Sequence, residues 1–103
     1  MNTSDPSQVK YAERASKLLD ERRMAALKNV LSTQDGRDVF WWLMGEAGLH
    51  QTPWAARNET VFFNIGKQDF ARFMLAQICK ASPEAYIQMV TDAQKPNEGE
   101  KNA

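Results

Sequence analysis

His50 and Cys79 are the chain's single histidine and single cysteine, and together they bound the chemistry available to it. A structural zinc site draws several ligands from these two residue types, so the composition argues against one. A cysteine nucleophile needs a neighbouring base or a positive field to ionise its thiol. Nothing in the sequence around Cys79 supplies either, and Cys79 reads as a small helix-packing residue. His50 reads as a loop residue rather than a general base. Asp35 and Asp38 fall in the first turn of a helix, where negative charge suits the macrodipole. Glu98 and Glu100 fall in a polar tail, and no motif pairs carboxylates in the manner of a glycosidase. The glycines have neither P-loop nor dinucleotide-fingerprint spacing. Asn58-Glu59-Thr60 is formally a glycosylation sequon, without meaning outside a eukaryotic secretory pathway. The expectation is a protein with no catalytic residue, no metal and no cofactor, and therefore no enzyme.

Binding has more to rest on. The chain holds three tryptophans among ten aromatic residues. Trp41 reads as core. Trp42 projects onto a narrow polar strip with Asp38 and Glu46, where an exposed tryptophan is a natural hot spot; cover by the N-terminal helix or tail is the plainer account. Trp54 lies in a loop, either exposed or as a plug on the core. Arg37, Lys67, Arg72 and Lys80 are candidates for meeting phosphates or carboxylates, although most surface basic residues are simply solvated. A nucleic-acid partner would require them to form one patch, and acidic neighbours are interleaved almost everywhere. Protein partners are favoured over nucleic acid, and no membrane partner is expected.

The elements that position these residues follow from length, composition and periodicity. A chain of 103 residues is one domain overall, large enough for a modest core without staples. Thirteen basic and thirteen acidic residues cancel, so no net field draws the chain to nucleic acid or to an anionic membrane. A hydrophobic content of 43% argues against disorder of the middle. A lone cysteine fits a reducing cytoplasm. No apolar run approaches the roughly 20 residues needed to span a bilayer, and the first residues lack the pattern of a secretion signal.

Asp5-Pro6 has the form of an N-cap followed by proline at the first helical position. Val9, Ala12, Ala15, Leu19, Ala26, Leu27 and Val30 then fall in one helical stripe. This predicts one long helix, or two in line, over residues 6–31, with Arg23 marking a bend or snorkelling to the surface. Residues 1–5 are expected to be disordered. Ser32 to Gly36 is a turn whose Ser, Thr or Asp caps the next helix. Val39 to Ala47 is apolar over a wide arc and reads as the central helix, punctuated by Gly36 and Gly48, the latter with positive φ. After a loop, Asn58 or Thr60 caps a helix to about Ala81. That helix carries two apolar stripes, Phe62, Phe63, Gly66, Phe70, Phe73 and Met74 on one side and Val61, Ile65, Leu75 and Cys79 on the other. Ser82-Pro83 starts a closing helix with Tyr86 and Met89 on its apolar side. Residues 95–103 are expected to be a disordered tail. The fold class is thus all-α, a compact bundle of about four helices: an N-terminal helical segment at 6–31 and a helical core at 32–94.

Gly36-Arg37, Trp41, Gly48, Phe63-Asn64, Gly66-Lys67 and Pro83-Glu84-Ala85-Tyr86 resemble, in order and approximate spacing, the Bbp19-like family of small tailed-phage proteins. The likeness covers a little over half of the chain and implies a helical fold, but it supplies no reaction. Two positions depart from the family pattern. Ile65 stands where members often have glutamate, and Gln68 stands in place of a second basic residue. The resemblance implies a phage origin, and with it a small virion or assembly component of the head, portal or internal core, acting through protein–protein association. The alternative it allows is an accessory DNA-binding or host-interaction protein made during infection. The implied location is the bacterial host cytoplasm, with incorporation into the virion. Arg37, Trp42, Lys67 and Arg72 are the candidate interaction residues. Gly36, Trp41, Gly48, Phe63, Gly66, Phe70 and Tyr86 are the expected structural ones.

Overall fold

Three of the four helix starts carry a local cause, a capping side chain. The computed structural model describes residues 5–95, and within them lie α1 (Pro6–Leu31), α2 (Gln34–Glu46), α3 (Asn58–Ala81) and α4 (Pro83–Gln94). There is no strand among the described residues, and the fold is an all-α bundle. Asp5 is ordered as the N-cap of α1, its carboxylate accepting from the Ser7 N–H at 3.0 Å, with Pro6 in the first turn. Thr33 caps α2 by accepting from the Gly36 N–H at 3.0 Å. Ser82 caps α4 by accepting from the Ala85 N–H, with Pro83 next to it. Helix α3 differs from expectation: its N-cap is Arg57, with no side-chain capping bond, and Asn58 is already helical. The expected disorder of residues 1–4 and 96–103 lies outside the described residues.

The end of α2 is set by glycine. Gly48 has φ +82°, a conformation that L side chains resist. Its N–H donates to the Gly45 carbonyl at 2.9 Å and the Leu49 N–H donates to the Met44 carbonyl at 3.1 Å. These two bonds are the Schellman pattern, and Leu49 and Met44 supply its usual apolar contact.

The core is made of Leu31, Met44, Ala71, Met74, Ile78, Ala85 and Met89, with Trp41, Leu49 and Tyr86 among the half-buried residues around it. Each helix contributes one narrow line: Met24, Leu27 and Leu31 from α1, Arg37, Trp41 and Met44 from α2, Ala71, Met74 and Ile78 from α3, Ala85 and Met89 from α4. These lines correct the expected stripes. Val9, Leu19 and Val30 are exposed, because the side of α1 that meets the bundle is rotated away from the apolar stripe. Arg23 causes no break; α1 runs unbroken and Arg23 lies 4.0 Å from Asp20 on its surface. Val39 and Leu43 are exposed on α2, and the two-sided cover expected for α3 is absent in the described structure. Cys79 is likewise exposed rather than packed.

Candidate functional site

Helix α3 turns its aromatic side chains outward. Phe62, Phe63, Phe70 and Phe73 are 72%, 64%, 58% and 56% exposed. At 100° per residue they occupy one arc of α3, which runs up to Met74 at the edge of the line that enters the core. Phe70 and Phe73 stack with ring centroids 5.9 Å apart. The Lys67 ammonium stands 5.1 Å from the centre of the Phe63 ring, a cation–π arrangement that covers part of one ring. The aromatic arc continues into an open groove floored by Leu27, Phe40, Leu43 and Met74, with Arg23 and Gln77 at its edge.

Phe63, Gly66 and Phe70 were expected to build the interior, and all three lie on the exposed side of α3. A Cβ at Gly66 would meet nothing within 4 Å, so no packing inside the chain requires glycine there. Gly36 behaves differently. A Cβ there would collide with the carbonyl of Val30, so glycine is what lets the start of α2 close against the end of α1. Gly36 lies inside the first turn of α2 rather than in the preceding turn.

Arg37 is occupied by the fold rather than free for a partner. Its Nη1 donates to the carbonyl of Leu31 at 2.9 Å and its Nη2 to Gln34 Oε1 at 3.2 Å, satisfying one of the open carbonyls at the end of α1. Its Nε is buried without a hydrogen-bond partner among the described residues. A small hollow beside it is lined by Asp38, Trp41, Met89 and Asp92. There Gln34 Nε2 donates to Asp92 Oδ2 at 3.1 Å and Gln88 Nε2 to Asp92 Oδ1 at 2.8 Å, while Lys95 Nζ lies 3.7 Å away. The Gln88 bond, then the Gln34 bond, and then the charges of Lys95 and Arg37 hold the Asp92 carboxyl below its usual range. These contacts tie α2 to α4.

The other sequence candidates stay apart. Trp42 is 62% exposed, on the polar side of α2 as its phase predicted, whereas Trp41 is half-buried against the core. Arg72 pairs with Asp69 at 3.0 Å on the surface, and lies about 140° around α3 from Lys67. The basic residues therefore make no common patch. Trp54 is exposed and does not plug the core. His50 is exposed beside Trp41, their rings 6.1 Å apart. Among the described residues no group of three His, Cys, Asp or Glu stands close enough to hold a metal ion, and no helix is long and apolar enough to cross a membrane.

The burial of Gln68 escaped the sequence reading. Its Nε2 donates to the carbonyl of Gln51 at 2.8 Å, while Asn64 Nδ2 donates to that of Pro53 at 3.2 Å. These two bonds hold the loop after Gly48 onto α3. The signal was available: Asn64, Gln68, Ala71, Leu75 and Ile78 have the spacing of a buried face, with amides at its N-terminal end. Comparison with known proteins finds no family model, no curated protein and no solved structure that matches this chain.

Proposed function

We propose that this protein is non-catalytic and works by protein–protein association, as a small virion or assembly component of a tailed phage: part of the head, portal or internal core. The observation that carries the association is the row of exposed phenylalanines on α3 beside an apolar groove. Exposed apolar patches of this kind are costly in water unless a partner covers them. The phage setting rests on the resemblance of Gly36-Arg37, Gly66-Lys67 and Pro83-Glu84-Ala85-Tyr86 to the Bbp19-like family. The balanced charge and dispersed basic residues favour a protein partner over DNA. Mass spectrometry of purified particles tests the reading. Peptides of this chain at a fixed ratio to the major head proteins are expected. A chain abundant in infected cells but absent from particles would remove the virion role.

A further inference from the structure

We propose that the aromatic face of α3 and the adjoining groove form a two-fold interface with a second copy of this chain. The inference rests on the association reading and names its first partner. Globular domains place two layers of secondary structure around one core. Between Cα atoms this chain spans 68 × 39 × 15 Å, and two packed helices, with Cα radii near 2.3 Å and axes roughly 8–10 Å apart, span about 13–15 Å. Its thin dimension therefore holds two layers of helix and no third, which leaves the outer side of α3 without cover. Only seven apolar side chains are buried among the described residues, while four phenylalanines of a single helix face outward. The chain has a small core on one side of α3 and bare rings on another, and a second copy supplies the missing cover.

Area, glycine placement and charge each fit this occupant. With about 200 Å² per phenylalanine side chain, the exposed parts of the four come to roughly 500 Å². Leu43, which lines the adjoining groove, is also exposed and brings the face to roughly 570 Å² per copy, close to the ~600 Å² per partner at the lower end of stable interfaces. Gly66 lies in the middle of the phenylalanine arc with open space where its side chain would be. Glycine is a poor choice for a helix interior, and the close approach of a second helix gives it a purpose. The formal net charge is zero, so two copies meet without net repulsion. A two-fold pairing buries the same patch on both copies and closes on itself.

Analytical ultracentrifugation of the full chain, carried into the tens of micromolar, tests the pairing. Wild-type protein is expected at the mass of two chains. Phe70→Glu with Phe73→Glu is expected to weaken pairing by about a hundredfold or more. Gly66→Gln is expected to weaken it while helicity by circular dichroism stays equal or rises. Arg72→Glu, on another side of α3, should leave it intact. Cross-linking of mixed light- and heavy-isotope wild-type protein adds a readout without substitution. Links joining Lys67 of one copy to Lys67 or Lys80 of another are expected. A monomer throughout the range, or a dimer indifferent to the phenylalanine and glycine changes, overturns the inference. If the monomer is nonetheless found in particles, only the second copy is refuted and the association reading stands. A monomer absent from particles refutes both.

Discussion

Trp41 and Trp42 are neighbours in the chain and about 100° apart around α2, and that rotation separates their roles. Trp41 packs against the core beside Met44 and Leu49, whereas Trp42 projects into solvent. Because Trp41 is only half-buried, Trp41→Ala is expected to cost about 2–3 kcal/mol, short of the roughly 3–5 of a fully buried aromatic. Trp42→Ala should fall within about 0.5 kcal/mol of wild type. It should also leave the two-chain mass unchanged, because Trp42 lies outside the phenylalanine face. Urea unfolding and sedimentation read the two effects separately. Gly36 makes a sharper case. A methyl group there meets the Val30 backbone rather than a flexible side chain, so nothing nearby can yield cheaply. Gly36→Ala is expected to destabilise by about 1–3 kcal/mol, the usual cost of forced overpacking, although alanine is the better helix former.

At the scale of elements, α2 and α4 are joined through a carboxylate whose titration is itself a prediction. Asp92 has its pKa lowered by hydrogen bonds from Gln88 and Gln34 and by the nearby cations. A carboxyl whose folded pKa lies below its unfolded value adds stability above the unfolded value and loses it as pH falls through the folded one. Asp92→Asn should therefore lower the melting temperature at neutral pH, with the gap to wild type closing under acid. A gap independent of pH would mean that the bonds matter and the charge does not. The helices themselves were legible in sequence because their ends are written in local chemistry: Asp5-Pro6, Thr33 and Ser82-Pro83 at the starts, Gly48 at the stop. Their faces were legible only in part. On α3 the phenylalanines drew the eye as the larger apolar signal. The face that folding buries runs instead through Gln68, Ala71, Met74 and Ile78, and its polar member is buried only because a loop carbonyl far along the chain waits for it. On α1 the apolar stripe and the bundle-facing line coincide only near Leu27. Which side of an amphipathic helix meets its own chain is a tertiary fact that periodicity alone does not carry.

For the whole molecule, an interior this small and an exterior this aromatic make stability and association one question. If pairing covers the phenylalanine face, then the folded state is drawn forward by mass action, since the pair forms only from folded chains. The melting temperature should then rise with protein concentration. For a chain of this size each kcal/mol gained shifts it by roughly 4–8 °C, so a rise of several degrees between dilute and concentrated samples is within reach of ordinary calorimetry. Phe70→Glu with Phe73→Glu should flatten that dependence. It removes two exposed phenylalanines that are not among the seven buried side chains, so at the dilute limit it should melt close to wild type. The two limits discriminate between accounts of the exposed rings. A wild-type melting temperature that ignores concentration would mean that one copy is stable with its aromatic face in water. The face would then be kept for a different partner. A variant that melts far below wild type even when dilute would mean that Phe70 and Phe73 stabilise the single chain, and that the stacking of their rings contributes to the fold rather than to the interface.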